Sequence, residues 1–322
     1  MSAAEGKPAV DAILQKVLET QEFALLGDDD VETARQRLHD LHTLMPAERL
    51  PDLRIENRHL NIASPDGVGV RIYWPPEDPE RSGPPPVLMF FHGGRFVVGD
   101  LDTHDAAARR HAVGAGAVVV SVDYRLAPEH PYPAAIDDAW AATCWTVDNA
   151  WGLGADPARL AVAGDSAGGT IAAVVTQLAR DADGPPMMFQ LLWYPAPMRD
   201  HSLPSYTENA DAPVLDRATL ELFGLWYAGD IDPDHQPPKL APGRNPNLAG
   251  LPPAYIAVAG HDPVRDEGVQ YAELLAAAGV PVEFDRAVTL VHGFVSFASI
   301  VPAASEAVDR GLSAVRNALH PA

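Results

Sequence analysis

The sequence predicts an α/β fold: a mostly parallel sheet of eight strands, flanked by helices and carrying a helical cap. Three observations support this. Short runs that are apolar on both faces, such as "PVLMFFH" from residue 86 and "AVVVSVDY" from residue 117, read as strands buried on both sides. Helical patterns alternate with these runs, as expected for a parallel sheet with helical crossovers. Ahead of them, "RIENRHLNI" and "VGVRIYW" alternate polar and apolar residues around the turn "ASPDG", which reads as an antiparallel hairpin.

In chain order, residues 1–50 stand apart. "VDAILQKVLETQEFALL" and "DVETARQRLHDLHTLM" place apolar residues at helical spacing, separated by "GDDD". Asp30 is the expected N-cap of the second helix, with Glu32 and Thr33 in its first turn. These two helices are expected to form an N-terminal cap segment over the main domain, 51–322. That domain opens with the hairpin. The strand at 86, a helix "DAAARRHAVGAG", the strand at 117 and a helix "AAIDDAWAATCWTV" follow. Then come strand "RLAVAG", helix "AGGTIAAVVTQLAR" and strand "MFQLLWYP". Residues 198–235 break the alternation and carry Phe223, Trp226 and Tyr227 on one helical stretch; they are read as an insertion that contributes to the cap. Strand "AYIAVAG", helix "DEGVQYAELLAAAG", strand "VEFDRAV" and a last helix "ASEAVDRGLSAVRNAL" complete the order. No fixed-period repeat appears.

The bulk composition narrows the function classes. The 322 residues, 47% of them hydrophobic, are ample for a sizeable core. A net charge of -21 argues against nucleic acid or an anionic membrane as a partner, because phosphates repel such a chain. The single cysteine, Cys144, makes no internal disulfide, has no metal-ligand cluster beside it and is expected as a small buried apolar residue. The N-terminal stretch has no apolar core of signal-peptide type, and no run is long enough to span a bilayer. The expected location is cytoplasmic, without stable membrane association. The prolines fall mainly in short connections such as "PPEDPERSGPPP", which read as rigid loops.

The chemistry begins at "RLAVAGDSAGGT", residues 159–170. A serine between glycines, after a buried strand and before a helix, fits the G-x-S-x-G nucleophile elbow. The turn is so sharp that side chains two positions away would clash, hence Gly164 and Gly168 around Ser166. A serine hydroxyl is a weak nucleophile and needs a base, and the base needs an orienting acid. Asp262 follows the strand "AYIAVAG" and His292 follows the next, so Ser166, Asp262 and His292 all fall at carboxyl ends of strands. Asp266 is the competing acid and is set behind Asp262, as a supporting residue or a helix cap. His261 is expected to cap its loop; His39, His42, His201 and His235 are read as solvated. A tetrahedral intermediate also needs N–H donors. Ala167, next to the serine, is one, and the glycine-rich loop His92-Gly93-Gly94 supplies others.

Four blocks now resemble a known family, the bacterial hormone-sensitive-lipase-like esterases of the α/β-hydrolase fold. They are "HGGRFVVGDLDTH" at 92, "VSVDYRLAPEHPYPAAIDD" at 120, "GDSAGG" at 164, and "DPVRDEG" with "HGF" at 262 and 292. The helical N-terminal segment is also similar to the family's. The resemblance implies a carboxylic ester hydrolase that uses no cofactor and no metal and favours short- to medium-chain acyl esters. It makes Ser166 the nucleophile, Asp262 the acid and His292 the base, with Gly93, Gly94 and Ala167 in the oxyanion-hole segments. It also implies a small-molecule ester as partner and a homodimer. An amidase or acyltransferase on the same triad is the alternative, and a non-catalytic binding module is disfavoured by the intact His292. In "DYRLAPE", the residues Asp123, Tyr124, Arg125 and Glu129 are expected as buried polar residues that hold the loops.

One departure stands out. The family's loop is usually His-Gly-Gly-Gly, and here Arg95 replaces the third glycine. Its backbone N–H survives, so the donors by position are Gly94 and residue 95. One expectation is that the Arg95 side chain turns away and pairs with an acidic neighbour. The other is that it narrows the acyl pocket or favours a substrate carrying negative charge.

Overall fold

The computed structural model describes residues 7–20, 30–46, 48–62, 67–79, 81–229, 231–232 and 235–321. The predicted helical residues 21–26, the acidic stretch 27–29 and turn residues 63–66 lie outside them. The chain opens with two helices, α1 (Ala12–Thr20) and α2 (Val31–Leu44). The Asp30 side chain accepts the Thr33 N–H and so caps α2. Strands β1 (Arg54–Leu60) and β2 (Val68–Trp74) pair antiparallel, Arg54 opposite Trp74 through Leu60 opposite Val68.

The alternation then runs β3 (Pro86–Phe91), α3 (Asp105–Ala115), β4 (Val118–Asp123), α4 (Ala134–Asn149), β5 (Asp156–Asp165), α5 (Ala167–Asp181) and β6 (Phe189–Trp193). Two helices follow in the interrupting segment, α6 (Pro204–Glu208) and α7 (Arg217–Ala228). The chain ends with β7 (Ala254–His261), α8 (Arg265–Ala277), β8 (Val282–Val291) and α9 (Pro302–Leu319). The eight strands form one sheet in the order β1-β2-β4-β3-β5-β6-β7-β8. β2 is antiparallel to β4, and from β4 to β8 every neighbour is parallel.

Strand periodicity sorts the core into two layers. In β3, Val87, Met89 and Phe91 point into a cluster with Ala135, Ile136 and Ile171 of α4 and α5. Leu88 and Phe90 point the other way, against Ala108 and Ala112 of α3 and Val308 and Leu312 of α9. Each fully buried Val, Ile, Leu, Met or Phe side chain among these contributes about 1.5–3 kcal/mol by leaving water. The central strands β3 and β6 are buried at every position, which is why they read as continuous apolar runs.

Two strands outrun the sequence reading. β8 extends through Val291, because it stays paired with β7 past a register shift, His261 opposite Val291. β5 begins at Asp156 rather than at Arg159. The one-turn helix α6 was not anticipated; five residues are too few to show a helical period.

Candidate active site

The site is assembled where β3, β5, β7 and β8 end. β5 stops at Asp165 and α5 starts at Ala167, so Ser166 alone makes the turn, with φ 53° and ψ -117°. Few non-glycine residues adopt that conformation. The close approaches explain the flanking glycines. A Cβ at Gly168 would lie 1.9 Å from the Phe91 carbonyl oxygen, and one at Gly164 would lie 2.2 Å from that of Gly168.

At the other end of the sheet, His261 of β7 is registered with Val291 of β8. The next residues, Asp262 and His292, therefore leave the sheet side by side. Asp262 is fully buried. One of its oxygens, Oδ2, lies 2.7 Å from His292 Nδ1, and the other accepts the Val264 N–H at 2.9 Å. Its own carbonyl accepts the Asn209 amide at 3.0 Å. His292 Nε2 lies 2.8 Å from Ser166 Oγ. With a proton on Nδ1 held by Asp262, Nε2 is left to accept the serine proton. Asp266 takes no part: it accepts the Ser205 N–H and pairs with Arg265. His261 does not cap its loop as expected; its ring nitrogen meets the Pro8 carbonyl at 2.9 Å and so holds the N-terminal segment.

The glycine loop after β3 refines one expectation. Gly93 donates its N–H to Asp165 Oδ1 at 2.9 Å, so it anchors the loop and is not free to face a substrate. Gly94 has φ 112°, and a Cβ there would lie 2.1 Å from the Val98 carbonyl oxygen. The N–H groups of Gly94, Arg95 and Ala167 have no hydrogen-bond partner among the described residues. Asp165 was not singled out in the sequence. The signal was there, because an acid at the end of the buried run Leu160–Gly164 needs a partner. Burial works to raise its carboxyl, but His104, His92 and the Gly93 N–H outweigh this and hold it below the ordinary value. His92 is fully buried, and burial pushes it down to about 4, so the ring is neutral. That ring stacks on Tyr124 at 4.2 Å, and Tyr124 donates its hydroxyl to the His92 carbonyl at 2.7 Å.

The rest of the "DYRLAPE" block is less buried than expected. Arg125 is half-buried on Asp138 at 2.8 Å, while Asp123 and Glu129 are exposed. Glu129 pairs with Arg35 of α2 through two bonds of 2.7 and 2.8 Å. Arg35 also donates to the carbonyls of Val97 and Ala127, each at 3.0 Å, which ties α2 to the glycine loop. Cys144 is half-buried rather than buried, and burial raises its thiol.

Two cavities meet at Ser166. One, of about 120 Å³, is lined by Leu38 and Leu41 of α2, Val214 and Leu215 before α7, Tyr194 and His292. It shares His42, Met45, Thr103 and His104 with an outer cleft of about 440 Å³. The second, of about 20 Å³, has Arg95, Phe96, Ala167, Arg199, Tyr206 and Tyr227 in its wall. Phe96 stacks on Tyr227 of α7 at 3.8 Å. Arg95 donates to the Leu220 carbonyl of α7 at 2.9 Å. No carboxylate lies within ion-pairing distance of Arg95 among the described residues, so it does not turn away to an acidic neighbour. Burial lowers its guanidinium to about 10. His42 and His201, read as solvated, line these cavities, and His39 lies 2.6 Å from Asp100. His235 is exposed and pairs with Asp232. Among the described residues, no group of three or more His, Cys, Asp or Glu is placed to hold a metal ion, and no helix is long and apolar enough to cross a membrane.

Comparison with known proteins shows what the chain is similar to. A sequence family described by the alpha/beta hydrolase fold matches residues 88–296. The chain is 60% identical to Esterase LipI of Mycobacterium tuberculosis over 321 residues, 99% of this chain and 98% of the relative. It is 56% identical to Carboxylesterase NlhH of the same species over 318 residues, 98% of each chain. A solved esterase of Pyrobaculum calidifontis superposes with a TM-score of 0.87 at 37% identity, over 96% of this chain and 98% of that one.

Proposed function

The chain belongs to the bacterial hormone-sensitive-lipase-like carboxylesterases of the α/β-hydrolase fold, and on that premise we propose that Ser166, His292 and Asp262 carry its hydrolysis of short- to medium-chain carboxylic esters. The single observation behind this assignment is the unbroken chain of contacts, 2.8 Å from Ser166 Oγ to His292 and 2.7 Å from His292 to Asp262.

His292 Nε2 takes the hydroxyl proton as Ser166 Oγ attacks the ester carbonyl carbon. The carbonyl oxygen becomes an oxyanion beside the N–H groups of Gly94, Arg95 and Ala167, at the N-terminus of α5. As the tetrahedral intermediate collapses, His292 passes its proton to the leaving alcohol, and the acyl group stays on Ser166. A water then gives its proton to His292 and adds to the acyl carbon; as this second intermediate collapses, the bond to Ser166 Oγ breaks, His292 returns the proton to that oxygen, and the acid is released. Asp262 fixes the imidazole tautomer and stabilises the imidazolium in both halves. No cofactor enters this scheme. α2 and the segment around Val214 act as the cap over the apolar cavity, at 1–50 and 198–235 of the chain, with 51–322 as the catalytic domain.

The same reading takes a small-molecule ester as the partner, the cytoplasm as the location and a homodimer as the assembly. The sheet's edge strand β8, where Val288 is 44% exposed, is the face assigned to the dimer. The test of the reaction is a series of p-nitrophenyl esters, acetate to palmitate, on the wild type and on Ser166→Ala. Short-chain activity that vanishes in the variant is the expected result. Activity that survives in the variant removes Ser166 as nucleophile.

A further inference from the structure

The two cavities at Ser166 are not equivalent, and the proton path tells them apart. His292 must reach the leaving oxygen to protonate it, so the leaving alcohol lies on the side that His292 lines. That is the apolar cavity of about 120 Å³. The acyl group then points to the other side, into the cavity of about 20 Å³, whose wall includes Ser166 and Ala167 but not His292.

The wall of that acyl-side cavity is unusual. Three polar atoms of the residues in that wall, Arg95 Nε, Arg199 Nε and the Tyr227 hydroxyl, are buried without a hydrogen-bond partner among the described residues. Tyr227 is only 1% exposed. Arg95 spends one guanidinium nitrogen on the Leu220 carbonyl. Arg199 stands at φ 47°, and its Nη2 lies beside Gly224 at an ordinary van der Waals separation from the place a Cβ would take. One carboxylate, Glu267, lies in the same wall and its charge favours both guanidiniums, but no side-chain hydrogen bond joins it to either arginine among the described residues. Oε2 receives the N–H groups of Met198 and Arg199, at 2.8 and 2.9 Å, and Oε1 receives the Tyr206 hydroxyl. Two arginines therefore line a small buried space, and each keeps an Nε–H without a partner among the described residues. Leaving buried donors of this kind unmade is costly, and an oxyanion is the group that satisfies them best.

We propose that this cavity recognises a carboxylate on the acyl group, so that the preferred substrate is a hemiester of a short dicarboxylic acid. The inference rests on the ester-hydrolase reading above. The acyl part is short because a space of about 20 Å³ holds little more than one or two waters. The carboxylate takes no part in bond making: it anchors the acyl side on Arg95, Arg199 and Tyr227 while Ser166 attacks the ester carbonyl two atoms away. The alcohol side is apolar and opens to the outer cleft, so it tolerates a larger alcohol.

The experiment compares monoethyl malonate with ethyl 3-methylbutanoate, its neutral counterpart of matched shape, and uses p-nitrophenyl acetate as reference. The expected kcat/KM ratio of hemiester to neutral ester is about tenfold or more, the range of hydrogen bonds to a charged group. In Arg199→Gln and in Arg95→Gly that ratio collapses toward one, and in Arg199→Lys part of it returns. A variant-independent readout is inhibition of p-nitrophenyl acetate hydrolysis in the wild type, stronger for free malonate than for 3-methylbutanoate. If the wild type turns over p-nitrophenyl acetate but shows a ratio of one or less, or no preference for malonate as inhibitor, the inference falls and the esterase reading stands. If the ratio is unchanged in both arginine variants, the assignment of the cavity falls. If p-nitrophenyl acetate itself is not hydrolysed, the esterase reading fails and takes the inference with it.

Discussion

Replacing Asp165 with alanine is expected to weaken the oxyanion loop without touching a reacting atom. Its carboxylate accepts the Gly93 N–H at 2.9 Å in a nearly closed environment, 7% exposed. Alanine leaves that N–H buried and unpaired, at a cost of about 1–3 kcal/mol. Unfolding entropy is about 2.1 cal/mol/K per residue. For 322 residues that is roughly 0.7 kcal/mol/K, so a 2 kcal/mol loss lowers Tm by about 3 °C. The kinetic effect is larger. Removing one oxyanion donor outright costs about 10²–10³ in kcat. A loop that has lost its anchor mispositions Gly94 and residue 95 for part of the time, so a fall in kcat of about 10- to 100-fold is expected, with KM little changed. Asp165→Asn keeps an acceptor oxygen for Gly93 and should lose less on both counts. The carboxyl sits below its ordinary value in the folded chain. Its contribution is therefore present above the unfolded value near 3.9 and fades as pH falls through the lower folded value, so the variant's stability profile is shallower there. Steady-state kinetics on p-nitrophenyl acetate and thermal unfolding are the assays. Wild-type kcat and Tm in Asp165→Ala would refute the reasoning.

Three further expectations follow from the same geometry. Asp262→Asn should keep the fold yet drop kcat about 10⁴-fold, because the amide no longer enforces the Nδ1 proton of His292; a loss under tenfold in steady-state assays would show that the tautomer is set elsewhere. Gly168→Ala should destabilise by more than the usual 1–3 kcal/mol of overpacking, since its methyl meets backbone oxygens of Phe91 and His92 at 1.9 and 2.6 Å; an unchanged urea midpoint would contradict this. Acid should destabilise the protein well above the carboxylate range. Burial pushes both His92 and His111 down to about 4. His111 is satisfied as the neutral ring, its Nε2 accepting the Trp193 indole at 3.0 Å while Nδ1 donates to the Ala107 carbonyl at 2.7 Å. Unfolding lets both take up protons near 6.5, so stability is full above that pH and falls toward 4, by up to about 1.4 kcal/mol per pH unit for each ring. Urea titrations between these pH values check the slope, and a flat profile would rule out the buried neutral rings.

How much of this was legible in the sequence depended on how far a residue's reason lies from it along the chain. Ser166, Gly164 and Gly168 were legible because a strand, a tight turn and a helix are local and form a known pattern, although only the clash at Gly164 lies within the turn; the one at Gly168 is with Phe91 and His92 of the neighbouring strand and its loop. Asp262 and His292 were legible by their places after apolar strands, although β8 ran on to Val291 and brought the histidine closer than the shorter strand implied. Asp165 lies beside Ser166, and its place after a buried run shows that it needs a partner but not which one, because Gly93 is 72 residues away. The histidines failed for the same reason. His42 and His201 look polar and solvated on their own segments, and only the closure of α2 and of the segment before α7 over the sheet makes them lining residues. Arg95 divides the two cases within one residue. Its departure from a glycine run is visible at once, and so is the survival of its N–H. What its side chain meets is set by Leu220 and Arg199, more than 100 residues away, on elements whose positions follow from packing rather than from any motif. An arginine expected to find a carboxylate instead faces a second arginine across the acyl side of the nucleophile. Like charges do not gather in a small buried space unless something else stabilises them; Glu267 in the same wall supplies part of this, and the proposed substrate carboxylate would supply the rest.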